Sequence, residues 1–255
     1  RPERLISHEN RWCGRALLRK TVGGDSVGYK LRFADVLRYQ HMMLPGLVAT
    51  MRLSCMSFLL GVAVGIVGGY LKTSDKPVAR RIAVAYVEFI RNTPALIQLY
   101  LVFFGLTSFG VWLDPSAAAV LTLGINCGAY ATEIVRSGIE AVGKGQKEAG
   151  FSLGMSRYQV FRYVILFPTI KTVFPSLGNQ FILTMLGTSV VSQIAVPELT
   201  YAASIIESRT FRSFEVYLLI AALYLALASV FAVAFWLIEK AFLDKSLRLP
   251  GRRTG

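Results

Sequence analysis

Five long runs of apolar residues dominate the chain, and none of them contains a charged side chain. They cover residues 53–70, 93–112, 115–131, 172–196 and 216–238. A helix rises about 1.5 Å per residue, so the last run would extend roughly 34 Å, enough to cross a hydrocarbon core of about 30 Å. Strands of a membrane barrel alternate apolar and polar side chains, which these runs do not. The pattern predicts an all-α, polytopic membrane protein with about five transmembrane helices.

Between these runs, the polar positions divide the chain into segments. We expect a polar basic tail over residues 1–30, an interfacial helix over 31–44 that ends at a bend at Pro45-Gly46, a transmembrane domain over 45–243, and a cytoplasmic tail over 244–255. The first span carries Gly61, Gly65 and Gly69 at intervals of four residues. Small residues at this spacing let two helix backbones approach closely.

The composition supports a membrane protein. Apolar residues make up 54% of the 255, and charged residues only 17%, whereas a soluble domain has about 25% charged residues. A soluble single domain and intrinsic disorder are therefore excluded. The three cysteines and two histidines form no repeated spacing, so we expect neither a disulfide framework nor a metal site.

The basic residues are distributed unevenly along the chain. Lys and Arg exceed Asp and Glu by 28 to 15, for a net charge of +13. Segments 71–81, 136–162 and 239–255 contain fourteen Lys and Arg, whereas segments 107–115 and 197–215 contain two. Basic loops stay in the cytoplasm. We therefore expect the first three segments, including the C-terminus, to be cytoplasmic, and the charge requires no nucleic-acid partner.

The N-terminal segment conflicts with this topology. Five spans and a cytoplasmic C-terminus place the N-terminus outside, yet residues 1–41 contain nine Lys and Arg. One interpretation is that a segment upstream of Arg1 changes the topology. The other, which we favour, is that the tail crosses the membrane despite its charge, because later helices can override the bias.

The cytoplasmic loop over residues 143–162 predicts a short helix. Residues 148–152 can form it, and Gly154 can terminate it. Phe151, Leu153 and Met155 supply apolar contact groups between basic flanks. Two interpretations stay open, docking onto a cytoplasmic partner or resting on lipid headgroups.

Polar residues inside the spans form two stripes. Gln180, Thr184 and Thr188 recur every four residues after Asn179, and Asn126 and Tyr130 do the same in an earlier span. Polar side chains in a membrane face protein or water. The stripes are therefore candidates for a solute path, with hydrogen bonding between helices as the alternative.

Four charged residues lie near the predicted cytoplasmic ends of spans. They are candidates for ion pairs or gate contacts: Glu88, Arg91, Glu133 and Arg136.

The loop and the spans resemble a known family. Glu148-Ala149-Gly150, then Gly154, then Val164-Ile165-Leu166 is similar to the EAA loop of binding-protein-dependent ABC importer permeases, with Gly150 in place of Ala and Pro168 one position late. FIRNTPALIQL from residue 89, NCGAYATEIVRSGI from 126, GNQF from 178 and VPELT from 196 resemble the histidine, glutamine and arginine type. The match covers about residues 33–243.

The resemblance implies a type I ABC importer permease fold with a short cytoplasmic coupling helix. Glu148, Ala149, Gly150 and Gly154 would contact a separate cytoplasmic ATPase that binds ATP and Mg. The implied partners are ATPase subunits, a second permease subunit (the same or a sister chain), an external solute-binding protein and membrane lipid. The resemblance also implies that this chain lies in the cytoplasmic (inner) membrane of a bacterium. No phosphate loop is present in this chain, so we expect no enzymatic activity from it.

The resemblance leaves the solute open. It implies import of a polar amino acid by alternating access. The alternatives are another small organic solute, such as an opine or a sulfonated amine, and, from a different class, a secondary transporter or a membrane scaffold. In members that take cationic amino acids, the resemblance places Glu at the position that is Gln180 here. We therefore expect a neutral or acidic solute.

Overall fold

The computed structural model describes residues 30–244, and every regular element in that range is a helix. The predicted tails over residues 1–30 and 244–255 lie outside this range except for residues 30 and 244. The helices are α1 (Phe33–Leu37), α2 (Gln40–Lys72), α3 (Pro77–Arg91), α4 (Ala95–Ser108), α5 (Pro115–Ala141), α6 (Lys144–Ser152), α7 (Arg157–Ile194), α8 (Leu199–Thr210) and α9 (Ser213–Ala241).

Four of these helices, α2, α5, α7 and α9, are long and apolar enough to cross a membrane. A fifth span exists if α3 and α4 are counted together, although they meet at an angle of 106°. The prediction of about five transmembrane helices is confirmed at this level. The predicted run over residues 93–112 differs, because α4 alone is shorter than the roughly 20 residues that a crossing needs.

The bend between α3 and α4 has a local cause. Pro94 is extended, with φ −63° and ψ 136°. A proline also disfavours helical geometry in the residue before it, here Thr93. The chain therefore leaves α3 at Asn92 and starts a new helix in a new direction at Ala95.

Helices α2 and α5 pack along the glycines of α2. A Cβ atom at Gly61 would lie 2.6 Å from the Cys127 sulfur, and one at Gly65 would lie 2.4 Å from the Ala131 Cβ. The contact is reciprocal, since a Cβ at Gly124 or Gly128 of α5 would collide with Leu60 or Val64. The predicted close approach at four-residue intervals is confirmed, and α5 is its partner.

The expected helix boundary at Pro45 is wrong. The segment over residues 31–44 is divided between α1 and the start of α2, and α2 continues through Pro45. Pro45 is the sixth residue of α2, beyond the first turn, so it removes one backbone hydrogen bond, and the helix nevertheless continues through it. Gly46 does not mark a bend but allows a close contact with α8, since a Cβ there would lie 3.1 Å from the Glu198 carbonyl oxygen at the start of α8.

Helix α7 links α5 to α9. A Cβ at Gly138 of α5 would lie 2.3 Å from Val173 of α7, so these two helices are also in close contact. On another side of α7, the Phe181 ring packs against Phe231 and Phe235 of α9 with centroid distances of 4.7 and 5.5 Å. Most of α9 is exposed beyond this contact, as expected for a helix at the edge of the described part.

Candidate functional site

Helix α6 has one exposed face and one face that packs against α7. Its side chains at Glu148 and Ala149 are exposed, and Phe151 and Leu153 are 49% and 81% exposed. Gly150 faces the other way and is buried. A Cβ at this position would lie only 3.1 Å from the Val160 side chain of α7, which is a tight contact. The glycine at the third position of the triplet therefore lets α6 sit directly on the start of α7.

The end of α6 is fixed by Gly154. This residue has φ +76°, a left-handed conformation that favours glycine. Its N–H donates to the Phe151 carbonyl at 2.9 Å, and the Met155 N–H donates to the Gly150 carbonyl at 3.2 Å. These two bonds form a Schellman motif, which closes the last turn. The predicted helix and its termination at Gly154 are confirmed, whereas contact with an ATPase stays a prediction.

The start of α7 is also capped locally. The Ser156 hydroxyl accepts from the Gln159 N–H, and the Gln159 side chain accepts from the Ser156 N–H, which is a capping box. A wide π-helical turn over Val160–Ile165 follows, just before Pro168. The altered hydrogen bonding of this turn suits the nearby Pro168, which has no backbone N–H to donate.

No other side chain among residues 30–241 pairs with the Glu148 carboxylate. The side chains of Lys144 and Lys147 are on the same helix, yet neither forms an ion pair in this part of the chain. An exposed carboxylate that has no ion-pair partner among residues 30–241 is available to pair with a basic group on another protein.

A chain of ion pairs joins α2 to α5 near the base of α6. The Glu133 carboxylate accepts from Lys72 of α2 and, at 2.9 Å, from Arg136 Nε, and Arg136 also donates to Glu140. Sequence analysis selected Glu133 and Arg136 but missed Lys72 and Glu140. A four-residue spacing indicates the Arg136–Glu140 pair, whereas nothing local indicates Lys72.

The other two charged candidates have different partners. Glu88 accepts from the Asn92 side chain at 3.1 Å, and the Arg91 guanidinium lies over the Tyr130 ring at 5.1 Å from its centroid. Glu88 and Arg91 are both exposed. Tyr130 is thus next to a cation at the bend between α3 and α4.

An amide network supports the bend, and its central residue was missed. Gln98 Nε2 donates to the Ile90 carbonyl of α3 and to the Thr93 hydroxyl, both at 2.7 Å. Gln98 Oε1 accepts from Asn126 of α5 at 3.0 Å. The buried Gln98 therefore replaces backbone bonds lost at residues 92–94 and connects the bend to α5.

The polar stripe of α7 is buried, except for Asn179. Gln180, Thr184 and Thr188 are buried, and the Thr184 hydroxyl donates to the Gln180 carbonyl at 2.9 Å. The Gln180 and Thr184 side chains also contact the Cys127 thiol of α5. Asn179 lies on another face of α7 and is exposed. Within this chain the stripe thus joins two helices, and its place in a solute path stays a prediction.

A buried carboxylate at Glu198 was not selected from the sequence. It accepts from the Tyr224 hydroxyl and the Tyr201 N–H, both at 2.8 Å, and from the Thr50 hydroxyl at 3.4 Å. It thereby caps α8 and connects α2 to α9. Burial raises the pKa of the Glu198 carboxyl, and these hydrogen bonds offset part of the shift.

The fold and these features define a multi-pass membrane permease. A family model described as the inner membrane component of binding-protein-dependent transport systems matches residues 57–243. The chain belongs to that family. It is the membrane-spanning permease subunit of a binding-protein-dependent importer, and this assignment favours the importer over a secondary transporter.

Curated relatives align over most of the chain. The glutamine transport system permease protein GlnP of Escherichia coli (strain K12) is 34% identical over 201 residues, which cover 78% of this chain and 92% of that protein. The probable glutamine ABC transporter permease protein GlnM of Bacillus subtilis (strain 168) is 38% identical over 190 residues, 74% of this chain and 86% of that protein. The nopaline transport system permease protein NocM of Agrobacterium fabrum is 32% identical over 207 residues, 77% and 86% of the two chains.

Solved structures agree with the fold. A crystal structure of an amino acid ABC transporter with histidines has a TM-score of 0.79 and 38% identity, and the match covers 84% of this chain and all of that chain (100%). The MetNI methionine ABC transporter in an inward-facing conformation has a TM-score of 0.66 over 79% of this chain and 96% of that chain, but at 18% identity it bears on the fold alone.

Proposed function

We propose that this chain forms one membrane half of an ATP-driven importer for a polar amino acid or a similar small solute. The names of the relatives support this solute class, since GlnP and GlnM are glutamine permeases. NocM supports an opine as a second candidate. The second half is another permease subunit, and an external binding protein delivers the solute.

The observation that carries the coupling role is the open surface of α6. Glu148 is exposed and unpaired among residues 30–241, and Ala149 beside it is exposed. Gly150 packs α6 against α7, and Gly154 ends the helix. A cytoplasmic ATPase that binds ATP and Mg would receive this helix in a basic cleft. Closure of two such ATPases would move α6, and with it α7, and so alternate the access of the membrane path.

The proposed orientation places α6, the turn between α2 and α3, and the C-terminus in the cytoplasm. Single cysteines at Ser74 and Gly251 should then react only from the cytoplasmic side, and one at Ser116 only from outside. A cysteine at Ser7 locates the N-terminal tail. Reaction of the Gly251 label from outside would overturn this orientation.

The coupling role is tested by reversing the charge of Glu148. In proteoliposomes that contain the assembled importer, Glu148→Arg should abolish the stimulation of ATP hydrolysis by loaded binding protein and leave membrane insertion intact. Glu148→Gln should give a smaller loss, because it removes the ion pair without adding repulsion.

Gln146→Arg is the matched control, since it makes the same change in charge as Glu148→Gln. Gln146 is exposed two residues away, which is about 200° around the helix and so on another face of α6. Stimulation should persist in this variant. Normal stimulation and uptake with Glu148→Arg would refute the docking role.

A further inference from the structure

A polar cavity lies between the turn that joins α2 to α3 and the start of α6. Its volume is about 870 Å³. Four basic side chains line it, Lys72, Arg80, Arg81 and Lys147, against the two carboxylates of Asp75 and Glu140. None of the functional roles above uses this space.

The cavity has a surplus of positive charge. Lys72 is neutralised by Glu133, and Glu140 by Arg136. Arg80, Arg81 and Lys147 form no ion pair with any of residues 30–241, and Asp75 alone opposes them. Two adjacent guanidinium groups and an ammonium group around a hydrated space are the donor set that a phosphate group prefers.

A second, apolar cavity shares one lining residue with the polar one. It has a volume of about 390 Å³, lies between α2, α5 and α7, and is lined by residues such as Ile66, Phe161 and Val173. Ile139 of α5 lines both cavities. A ligand that fills both must have a charged part and an apolar part.

Helix α3 also has the character of a membrane-surface helix. Val78 and Ile82 are 68% and 64% exposed, and they lie one turn apart beside Arg80 and Arg81. Exposed apolar side chains next to cations are typical of helices at the level of lipid headgroups. The cavity therefore opens where anionic lipid is within reach.

We propose that the two cavities bind an anionic phospholipid, with its phosphate held by Arg80, Arg81 and Lys147 and an acyl chain along the apolar cavity. A free phosphate ion shares the headgroup chemistry but leaves the apolar cavity empty. Since Lys147 belongs to α6, the bound lipid connects the α2–α3 turn to the helix proposed to contact the ATPase.

The test uses the assembled importer in nanodiscs of phosphatidylcholine with and without phosphatidylglycerol. Native mass spectrometry after detergent exchange counts the retained phosphatidylglycerol. We expect retention by the wild type and a roughly tenfold weaker retention by the Arg80→Gln/Arg81→Gln variant, because each basic residue near a membrane surface contributes appreciably to binding anionic lipid. The Arg157→Gln/Arg162→Gln variant removes the same charge from the start of α7, outside the polar cavity, and should retain the lipid.

Three results would overturn the proposal. Equal retention by both double variants would remove the role of the cavity. Displacement of the lipid by glycerol phosphate or inorganic phosphate at similar concentrations would indicate a free-anion site. Loss of the ATPase subunit from Arg80→Gln/Arg81→Gln would show that the ATPase covers the cavity. None of these readouts depends on coupling through Glu148, so this proposal and the proposed function can fail separately.

Discussion

The contact between α2 and α5 depends on single glycines at which a Cβ would collide with α5, and at Gly65 the collision includes the α5 backbone. At Gly65 a Cβ would lie 2.4 Å from the Ala131 Cβ and 2.9 Å from the Ala131 carbonyl carbon. We expect Gly65→Ala to destabilise the chain by about 1–3 kcal/mol, because the two helices must separate to admit it. Thermal unfolding of the purified importer measures the loss as a lower Tm.

Gly105→Ala is the control for that variant. Gly105 is helical, with φ −63°, and no heavy atom lies within 4 Å of its Cβ position. Alanine there should leave the Tm unchanged or raise it, since alanine is favoured over glycine in a helix by up to about 1 kcal/mol. An equal fall in Tm for both variants would contradict the assignment of Gly65 to close packing.

Glu198 gives a pH dependence of stability with a defined sign. Burial raises its pKa, so the folded chain holds a proton that the unfolded chain releases near the ordinary value of about 4.3. Its contribution to stability is therefore complete below that value and is lost as the pH rises through the raised pKa. The Tm difference between wild type and Glu198→Gln should decrease over this window.

Glu207, within α8, provides the opposite case. Hydrogen bonds from Ser213 and Tyr217 lower its pKa, so its contribution to stability is present above the ordinary value and is lost as the pH falls through the lowered pKa. The Tm difference for Glu207→Gln should have the opposite slope. The same slope for both variants would contradict the assignment at Glu198.

Local spacing indicated some of these residues and could not indicate others. The glycines of α2 repeat every four residues, so the sequence itself predicts a face for close packing. The partner of Glu133 is Lys72, 61 positions away, and Gln98 meets Asn126 across 28 positions. Such pairs arise only when α2, α4 and α5 come together, which no local pattern encodes.

At the scale of elements, apolar runs predicted which segments enter the membrane but not how they bend. The run over residues 93–112 has no charge, yet only its part in α4 is helical up to Ser108. A crossing of the membrane would need α4 together with the amphipathic helix α3, from which Pro94 separates it by a sharp bend. Pro45 caused the opposite error, because the expected boundary is absent and α2 continues through it. The effect of a proline depends on its position in the helix, which apolarity alone does not reveal.

Helix α6 offers an element-scale test of the coupling surface. Gly154 has φ +76°, where an alanine costs about 1–2 kcal/mol. We expect Gly154→Ala to loosen the end of α6 and to reduce stimulated ATP hydrolysis while unstimulated hydrolysis persists. Gly145→Ala, inside α6 with no heavy atom within 4 Å of its Cβ position, should preserve stimulation, and equal losses would argue against an effect of the turn.

At the scale of the whole chain, α5 is the central helix of the described part. It contacts α2 through glycines, α7 through Gly138, and the bend between α3 and α4 through Asn126. The ion pairs around Glu133 lie at its end nearest α6. A displacement of α6 and α7 by an ATPase would therefore reach the polar residues of the spans through α5.

A prediction about the charge of the solute rests on Gln180, the neutral residue proposed to line the solute path. Gln180 is 7% exposed and contacts Cys127 of α5, and its side chain pairs with no carboxylate among residues 30–241. A cationic side chain brought to a neutral amide would lose its hydration without gaining a counter-ion, which is costly. An amide can instead hydrogen-bond a neutral or acidic solute.

We therefore expect uptake of radiolabelled glutamine by the reconstituted importer to be reduced by excess glutamine or glutamate and much less by arginine. Gln180→Glu is the matched variant, since it has nearly the same shape and adds the carboxylate that a cationic side chain needs. It should increase the inhibition by arginine relative to glutamine. Uptake restricted to arginine and lysine in the wild type would refute the prediction, and so would density for a basic side chain against Gln180.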